Sequence, residues 1–219
     1  MSIYYGNPDS EFVYLFFPGW TTTPKDMFEM LKENMDKEEY WCILQATFEK
    51  NQWFEYGDVM KNSGTNYESM ILNLNLNYKE EEELNTTIQK VSNIVSKIEK
   101  NIVLLGTSQG ATVAFHYFHS NICSEKIVGL WLHNMAGFYP LHLDIFKKYK
   151  YNVYMDNKEG DRHSVFDEDT FSHMRRSLNI ITKKRTRNVF FYNSKKDSIV
   201  PGKFKNKMIE KLYEIYKIY

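Results

Sequence analysis

Ile102-Val103-Leu104-Leu105 runs straight into Gly106-Thr107-Ser108-Gln109-Gly110, and from Ala111 to His119 the chain reads as helix. An apolar run with no polar alternation is a strand buried on both faces, as a parallel sheet demands. A strand that passes into a helix through so few residues must turn sharply. Glycines two positions either side of the central residue avoid a collision between strand and helix, and that residue, Ser108, is held proud of the sheet in strained backbone geometry. The bare G-x-S-x-G pattern is common. The strand before it and the helix after it make it specific.

The rest of the chain repeats the alternation. Phe12–Phe17, Tyr40–Leu44, Ile127–Leu132 and Asn188–Tyr192 are short apolar runs that read as strands. Between them lie helical stripes. Thr23-Pro24 with Asp26 marks a helix start, followed by Met27, Met30, Leu31 and Met35 on one face. Leu84, Ile88, Val91, Val95 and Ile98 form a second stripe, and Phe204, Met208, Leu212 and Ile215 a last one. Residues 45–79 read as loops, with a brief edge strand at Leu72–Leu76. No repeat or linker divides the 219 residues, so a single α/β domain with a mostly parallel central sheet flanked by helices is expected over 1–219.

Charge narrows the partners. The 28 basic residues equal the 28 acidic ones, which argues against nucleic acid or an anionic membrane as a partner. The one basic run, Lys183 to Arg187, reads as solvated surface. No apolar stretch reaches the ~20 residues of a membrane span, Met1–Tyr5 does not begin a signal peptide, and no lipidation motif stands before Tyr219. Two cysteines, Cys42 and Cys123, are too few for a disulfide framework and suit a reducing compartment. The expectation is a soluble cytoplasmic protein without stable membrane insertion. His116, His119 and Cys123 fall at helical spacing, yet no fourth metal ligand is near. They read as core, and neither metal nor cofactor is expected.

Three further elements bear on chemistry. Pro18-Gly19-Trp20-Thr21 follows the first strand, and its Trp20 amide is positioned in sequence to join the Gln109 amide as donors to an oxyanion. Asp197 follows the fifth strand directly, where catalytic groups of parallel sheets collect; a carboxylate there can orient a histidine. Ser108 would be the nucleophile.

On these residues the chain resembles the acyl-protein thioesterase/carboxylesterase (phospholipase-carboxylesterase) family of α/β hydrolases. The likeness is carried by Phe17–Thr22, Gly106–Gly110 with Gln109 after the serine, and Asp197–Pro201 with Phe204 and Ile209–Leu212. A weaker likeness spans Ile43 to Asp58, where the family has a tryptophan. The resemblance implies the α/β-hydrolase fold and a serine hydrolase of carboxylic esters or thioesters, acting on a small acyl substrate that is free or carried by an acylated protein or lipid. The chain departs from the family at Pro18, where a histidine is usual, and in a longer segment from Leu141 to Arg187, read as an insertion.

The gravest departure concerns the base. In this fold the catalytic histidine follows the acid, past one further strand. The histidines are His116, His119, His133, His142, His163 and His173, and none follows Asp197, so the last strand reads as missing. Losing the base costs roughly 10⁴- to 10⁶-fold in turnover. Three explanations stay open: a catalytically degenerate protein that binds a ligand or a protein, a replacement histidine from the long segment (His163 first, His173 behind it), or a truncated chain. Substrate identity and oligomeric state have no readable motif.

Overall fold

The computed structural model describes residues 1–54, 78–135, 152–161, 166–184 and 187–196, together with Glu210. Among these described residues, seven strands form one sheet in the order β1-β3-β2-β4-β5-β7-β6. They are β1 (Ile3–Gly6), β2 (Phe12–Phe17), β3 (Tyr40–Ile43), β4 (Asn101–Thr107), β5 (Ile127–His133), β6 (Asn152–Asp161) and β7 (Asn188–Lys196). Only β1 runs antiparallel, against β3; every other pairing is parallel. The helices are α1 (Pro24–Leu31), α2 (Tyr78–Val95), α3 (Ser108–Phe118) and α4 (Glu168–Lys184).

Side chains of the central strands alternate between two cores. Val13, Leu15 and Phe17 of β2, Leu104 of β4, Leu132 of β5 and Phe191 of β7 point to one face. There they meet Leu84, Ile88, Val91 and Val95 of α2 and the apolar residues of α3. Tyr14, Phe16, Leu105, Trp131 and Phe190 point the other way, onto Met27 and Leu31 of α1 and Met174, Leu178 and Ile181 of α4. This period of two, with apolar residues on both faces, is why the strand sequences read as uninterrupted hydrophobic runs.

Helix starts follow their caps. Thr23 Oγ1 accepts the Asp26 amide at 3.1 Å while the Asp26 carboxylate accepts the Thr23 amide at 3.3 Å, a reciprocal capping box with Pro24 in the first turn. Met30, expected on the apolar face of this helix, is instead 40% exposed; the face that packs is made by Pro24, Met27 and Leu31, with Phe28 beside them. Met35 is buried beyond a 3₁₀ turn at Lys32–Asn34.

Two strands were not expected. β1 is four residues long with alternating exposure, too short a signal to separate from an irregular terminus. β6 lies within the segment read as an insertion, and it fills the edge beyond β7 where the last strand seemed to be missing. Its sequence, Asn-Val-Tyr-Met-Asp-Asn-Lys-Glu-Gly-Asp, is mostly polar, as an edge strand with one side open to water permits. α4 follows, with Lys183 and Lys184 closing its last turn, so the start of the basic run sits where cations oppose the helix dipole rather than on a strand approach. The expected strand at Leu72–Leu76 and the last helical stripe lie outside the described residues.

Candidate active site

β4 ends at Thr107 and α3 begins at Ser108, with no residue between them. Ser108 has φ 53°, a left-handed backbone that costs a non-glycine residue on the order of 1–3 kcal/mol and persists only where its surroundings impose it. They do so here through contact. A Cβ on Gly106 would stand 2.7 Å from Ala111 Cα, and one on Gly110 would stand 2.2 Å from the carbonyl oxygens of both Phe17 and Pro18. Strand, helix and the loop after β2 thus meet backbone to backbone. Ser108 is half-buried while Thr107, Gln109 and Gly110 are buried, so the turn lifts its side chain to the carboxyl end of the sheet.

The loop after β2 presses against it. A Cβ on Gly19 would lie 3.4 Å from Ser108 Cβ, and Trp20, the next residue, is 42% exposed. Thr21 has φ 63°. Its amide donates to Asn51 O at 3.0 Å, and the Thr22 amide donates to Gly19 O at 3.2 Å. Gln109 occupies the first turn of α3, where backbone amides have no partner within the helix and the dipole is positive.

A second left-handed residue stands beside the elbow. Thr107 and His133 are paired strand ends, and Asn134, next after His133, has φ 47°. The Ser194 amide donates to Asn134 Oδ1 at 2.7 Å, which orients the carboxamide so that Nδ2 donates to Ser194 Oγ and to His133 Nε2, each at 3.1 Å. The His133 proton is therefore on Nδ1, facing Thr107 Oγ1 at 3.4 Å. Both nitrogens of His133 are thereby engaged in holding β4, β5 and β7 together.

His173, the second-choice replacement base, is committed elsewhere. It is buried on α4; its Nδ1 accepts the Trp131 indole N–H at 3.0 Å, and its Nε2 faces Asp156 Oδ2 at 2.9 Å. An indole can only donate, so the imidazole proton sits on Nε2 and is donated to Asp156. Burial lowers the His173 pKa, against the raising influence of Asp156. His173 is thus a neutral joint between β5, β6 and α4, with no ring nitrogen left for Ser108. His119 donates through Nδ1 to the Phe115 carbonyl at 2.8 Å and packs on Phe115 and Phe118. Burial pushes the thiols of Cys42 and Cys123 up to about 11, so neither is a thiolate nucleophile near neutrality. His163, His142 and Asp197 lie outside the described residues.

The tryptophan of the weak resemblance has a place that the sequence did not assign. Trp53 is buried, and its indole N–H donates to Pro18 O at 2.8 Å. The Gln109 side chain accepts the Trp53 amide at 2.9 Å and donates to Phe54 O at 2.7 Å. An isolated aromatic in a loop gives no sequence signal for such a role.

A parallel sheet with one antiparallel edge, a left-handed serine between strand and helix, and helices on both faces define the α/β-hydrolase fold. Among solved structures the chain is similar to a phospholipase/carboxylesterase from Dyadobacter fermentans, with 18% identity over 88% of this chain and 86% of that one and a TM-score of 0.51. It is similar also to acyl-protein thioesterase 2 of Zea mays, with 12% identity over 99% of each chain and a TM-score of 0.52. No protein-family model and no curated protein matches the sequence. Among the described residues, no helix is long and apolar enough to cross a membrane.

Proposed function

We propose that the chain is a serine hydrolase of carboxylic esters or thioesters. Ser108 Oγ attacks the acyl carbon, and the Gln109 and Trp20 amides hold the oxyanion that forms. His163 takes the serine proton and returns it to the departing alcohol or thiol, Asp197 orients the histidine, and water then cleaves the acyl-serine through the same base. The observation that carries the reading is the left-handed Ser108 at the carboxyl end of β4, with Gly19 packed against it.

The strand order supports His163 as the base. β6 runs parallel beside β7, and its last paired residue, Asp161, is the Cα partner of Lys196. His163 follows Asp161 by two residues and Asp197 follows Lys196 by one. Both thus follow in sequence on strands whose carboxyl ends open on the side where Ser108 stands. The edge strand simply comes before β7 in the chain, so the base precedes the acid in sequence, and no residue after Asp197 is needed. Every role is filled by a side chain or an amide, without metal or cofactor. The two similar structures named above support a small acyl substrate, free or carried on a protein or lipid. Both cysteines are unpaired, in keeping with a cytoplasmic site of action.

A fluorophosphonate probe tests the nucleophile. The intact protein should label at Ser108, and Ser108→Ala should abolish labelling. His163→Ala should lower p-nitrophenyl butyrate turnover by about 10⁴-fold or more, with KM little changed. A wild-type protein that neither labels nor turns over the ester would end the hydrolase reading. Full turnover in His163→Ala would remove only the base assignment.

A further inference from the structure

We infer that Trp53 is a positioning residue of the oxyanion hole, an inference that rests on the hydrolase reading above. Its indole N–H, together with the Gln109 carboxamide, sets the distance between the two oxyanion donors.

The segment from Asn51 to Phe54 grips the loop after β2 at both ends. The Trp53 indole holds the Pro18 carbonyl, and the Asn51 carbonyl accepts the Thr21 amide at 3.0 Å. Between these two anchors lie only Gly19 and Trp20. A shift of the Pro18–Gly19 peptide would carry the adjoining Gly19–Trp20 peptide, and with it the Trp20 amide, and the indole hydrogen bond anchors the first of these.

The grip is itself referenced to the elbow. Gln109, whose backbone amide is the other donor, spends its whole carboxamide on this segment, accepting the Trp53 amide and donating to Phe54 O. Thr87 on α2 donates to the Trp53 carbonyl at 2.6 Å, and the Phe17 and Trp53 rings pack with centroids 5.3 Å apart. Gln109, Trp53, Phe54 and Thr87 are all buried. Hydrogen bonds shielded from water in this way are strong and directional. One residue therefore offers a donor through its main chain and, through its side chain, locates the loop that offers the second. Pro18, which stands where the resembled family usually has a histidine, joins the arrangement through its carbonyl rather than through a side chain.

The test separates the donor from the ring. Replacing Trp53 by β-(3-benzothienyl)alanine keeps the bicyclic shape and exchanges N–H for sulfur; 7-azatryptophan keeps the N–H. Removing an oxyanion donor outright costs about 10²- to 10³-fold in kcat, and misplacing a catalytic group by about 1 Å costs about 10²-fold. The benzothienyl protein should therefore hydrolyse p-nitrophenyl butyrate with kcat about ten- to a hundredfold lower, KM within about twofold and the melting temperature lowered by only a few degrees, as the loss of one buried hydrogen bond allows. The 7-azatryptophan protein should recover the wild-type kcat. An unchanged kcat in the benzothienyl protein overturns the inference while leaving the hydrolase reading intact, and so does an equal loss in both analogues accompanied by a lower melting temperature. A wild-type protein without turnover or fluorophosphonate labelling overturns both.

Discussion

The conformation of Ser108 is imposed by residues that lack side chains. Gly106 and Gly110 are the two points where strand, helix and loop touch through backbone alone, and the space at each is filled by atoms of different mobility. At Gly110 a Cβ would meet the carbonyl oxygens of Phe17 and Pro18 at 2.2 Å, main-chain atoms that cannot swing aside. At Gly129 on β5 a Cβ would meet Ile181 side-chain atoms at 2.6–2.9 Å, next to the branch of a stiff helical side chain, so that α4 must give there while the elbow is left alone. Overpacking costs typically about 1–3 kcal/mol, occasionally more. Gly110→Ala should therefore reach or exceed the top of that range and, on the function proposed above, abolish fluorophosphonate labelling, because the clash pushes the loop after β2 away from Ser108. Gly129→Ala should also destabilise but keep labelling, because its clash falls on α4 and not on the serine turn. Urea unfolding of the two variants beside the wild type, with labelling of each, checks the contrast. Labelling retained in Gly110→Ala would show that the backbone contact at Gly110 yields more easily than the structure implies.

At the scale of elements, legibility follows burial. β2, β4, β5 and β7 were readable because strands packed on both faces must be apolar throughout, and α2 because one side of it meets a sheet. The glycine-framed serine turn and the capping box at Thr23 were readable because each is a local arrangement of a few residues. β6 was not: at an open edge it needs few apolar residues, so its sequence looks like loop. With β6 hidden, the segment around it read as an insertion and the final strand as missing. The role of Trp53 was equally invisible, since it depends on partners 35 and 56 residues away. Helix α4 does present an apolar stripe, Phe171, Met174, Leu178 and Ile181, and a polar joint adds to its docking. Arg175 donates to both carboxylate oxygens of Glu39, at 2.8 and 2.6 Å, and to Asn34 O, and its guanidinium lies over the Trp41 ring. Arg175→Ala leaves Glu39 with the Trp41 indole and the Tyr14 hydroxyl as donors but without its countercharge. Because the pair is partly open to water, the loss should be about 1–3 kcal/mol, read as a lower urea midpoint at constant m-value. A change below about 0.5 kcal/mol would mean that α4 is held by its apolar face alone.

At the scale of the molecule, the two cores differ in kind. The face covered by α2 and α3 is mostly aliphatic and aromatic, whereas the face covered by α1 and α4 is crossed by hydrogen-bonded rings. His173 is the centre of that second network. It takes the Trp131 indole N–H from β5, gives its own proton to Asp156 on β6, and stacks on Tyr192 of β7 with ring centroids 4.1 Å apart. Protonating Nδ1 would place two N–H groups face to face, so the folded state opposes the charged imidazole. Burial lowers the pKa first, the Arg176 charge adds to the lowering, and Asp156 opposes both. Asp167 and Asp169 are the other charges near this cluster through Tyr192. Since the folded-state pKa lies below the ordinary value of about 6.5, the unfolded chain binds more protons in the interval between them, and stability rises with pH there. The contribution is complete above about pH 6.5 and is lost as acidification proceeds down through the folded-state value. His173→Phe keeps a ring against Tyr192 but leaves the Trp131 N–H buried without its acceptor, at about 1–3 kcal/mol. The variant should thus be less stable than wild type at pH 8, and the gap should narrow as the pH falls below about 6.5, because only the wild type must desolvate or discharge an imidazole at this site. Unfolding free energies of both proteins across that range test the linkage. A gap that stays constant with pH would show that His173 titrates alike in the folded and unfolded chains, and that its hydrogen bonds to Trp131 and Asp156 do not hold it neutral.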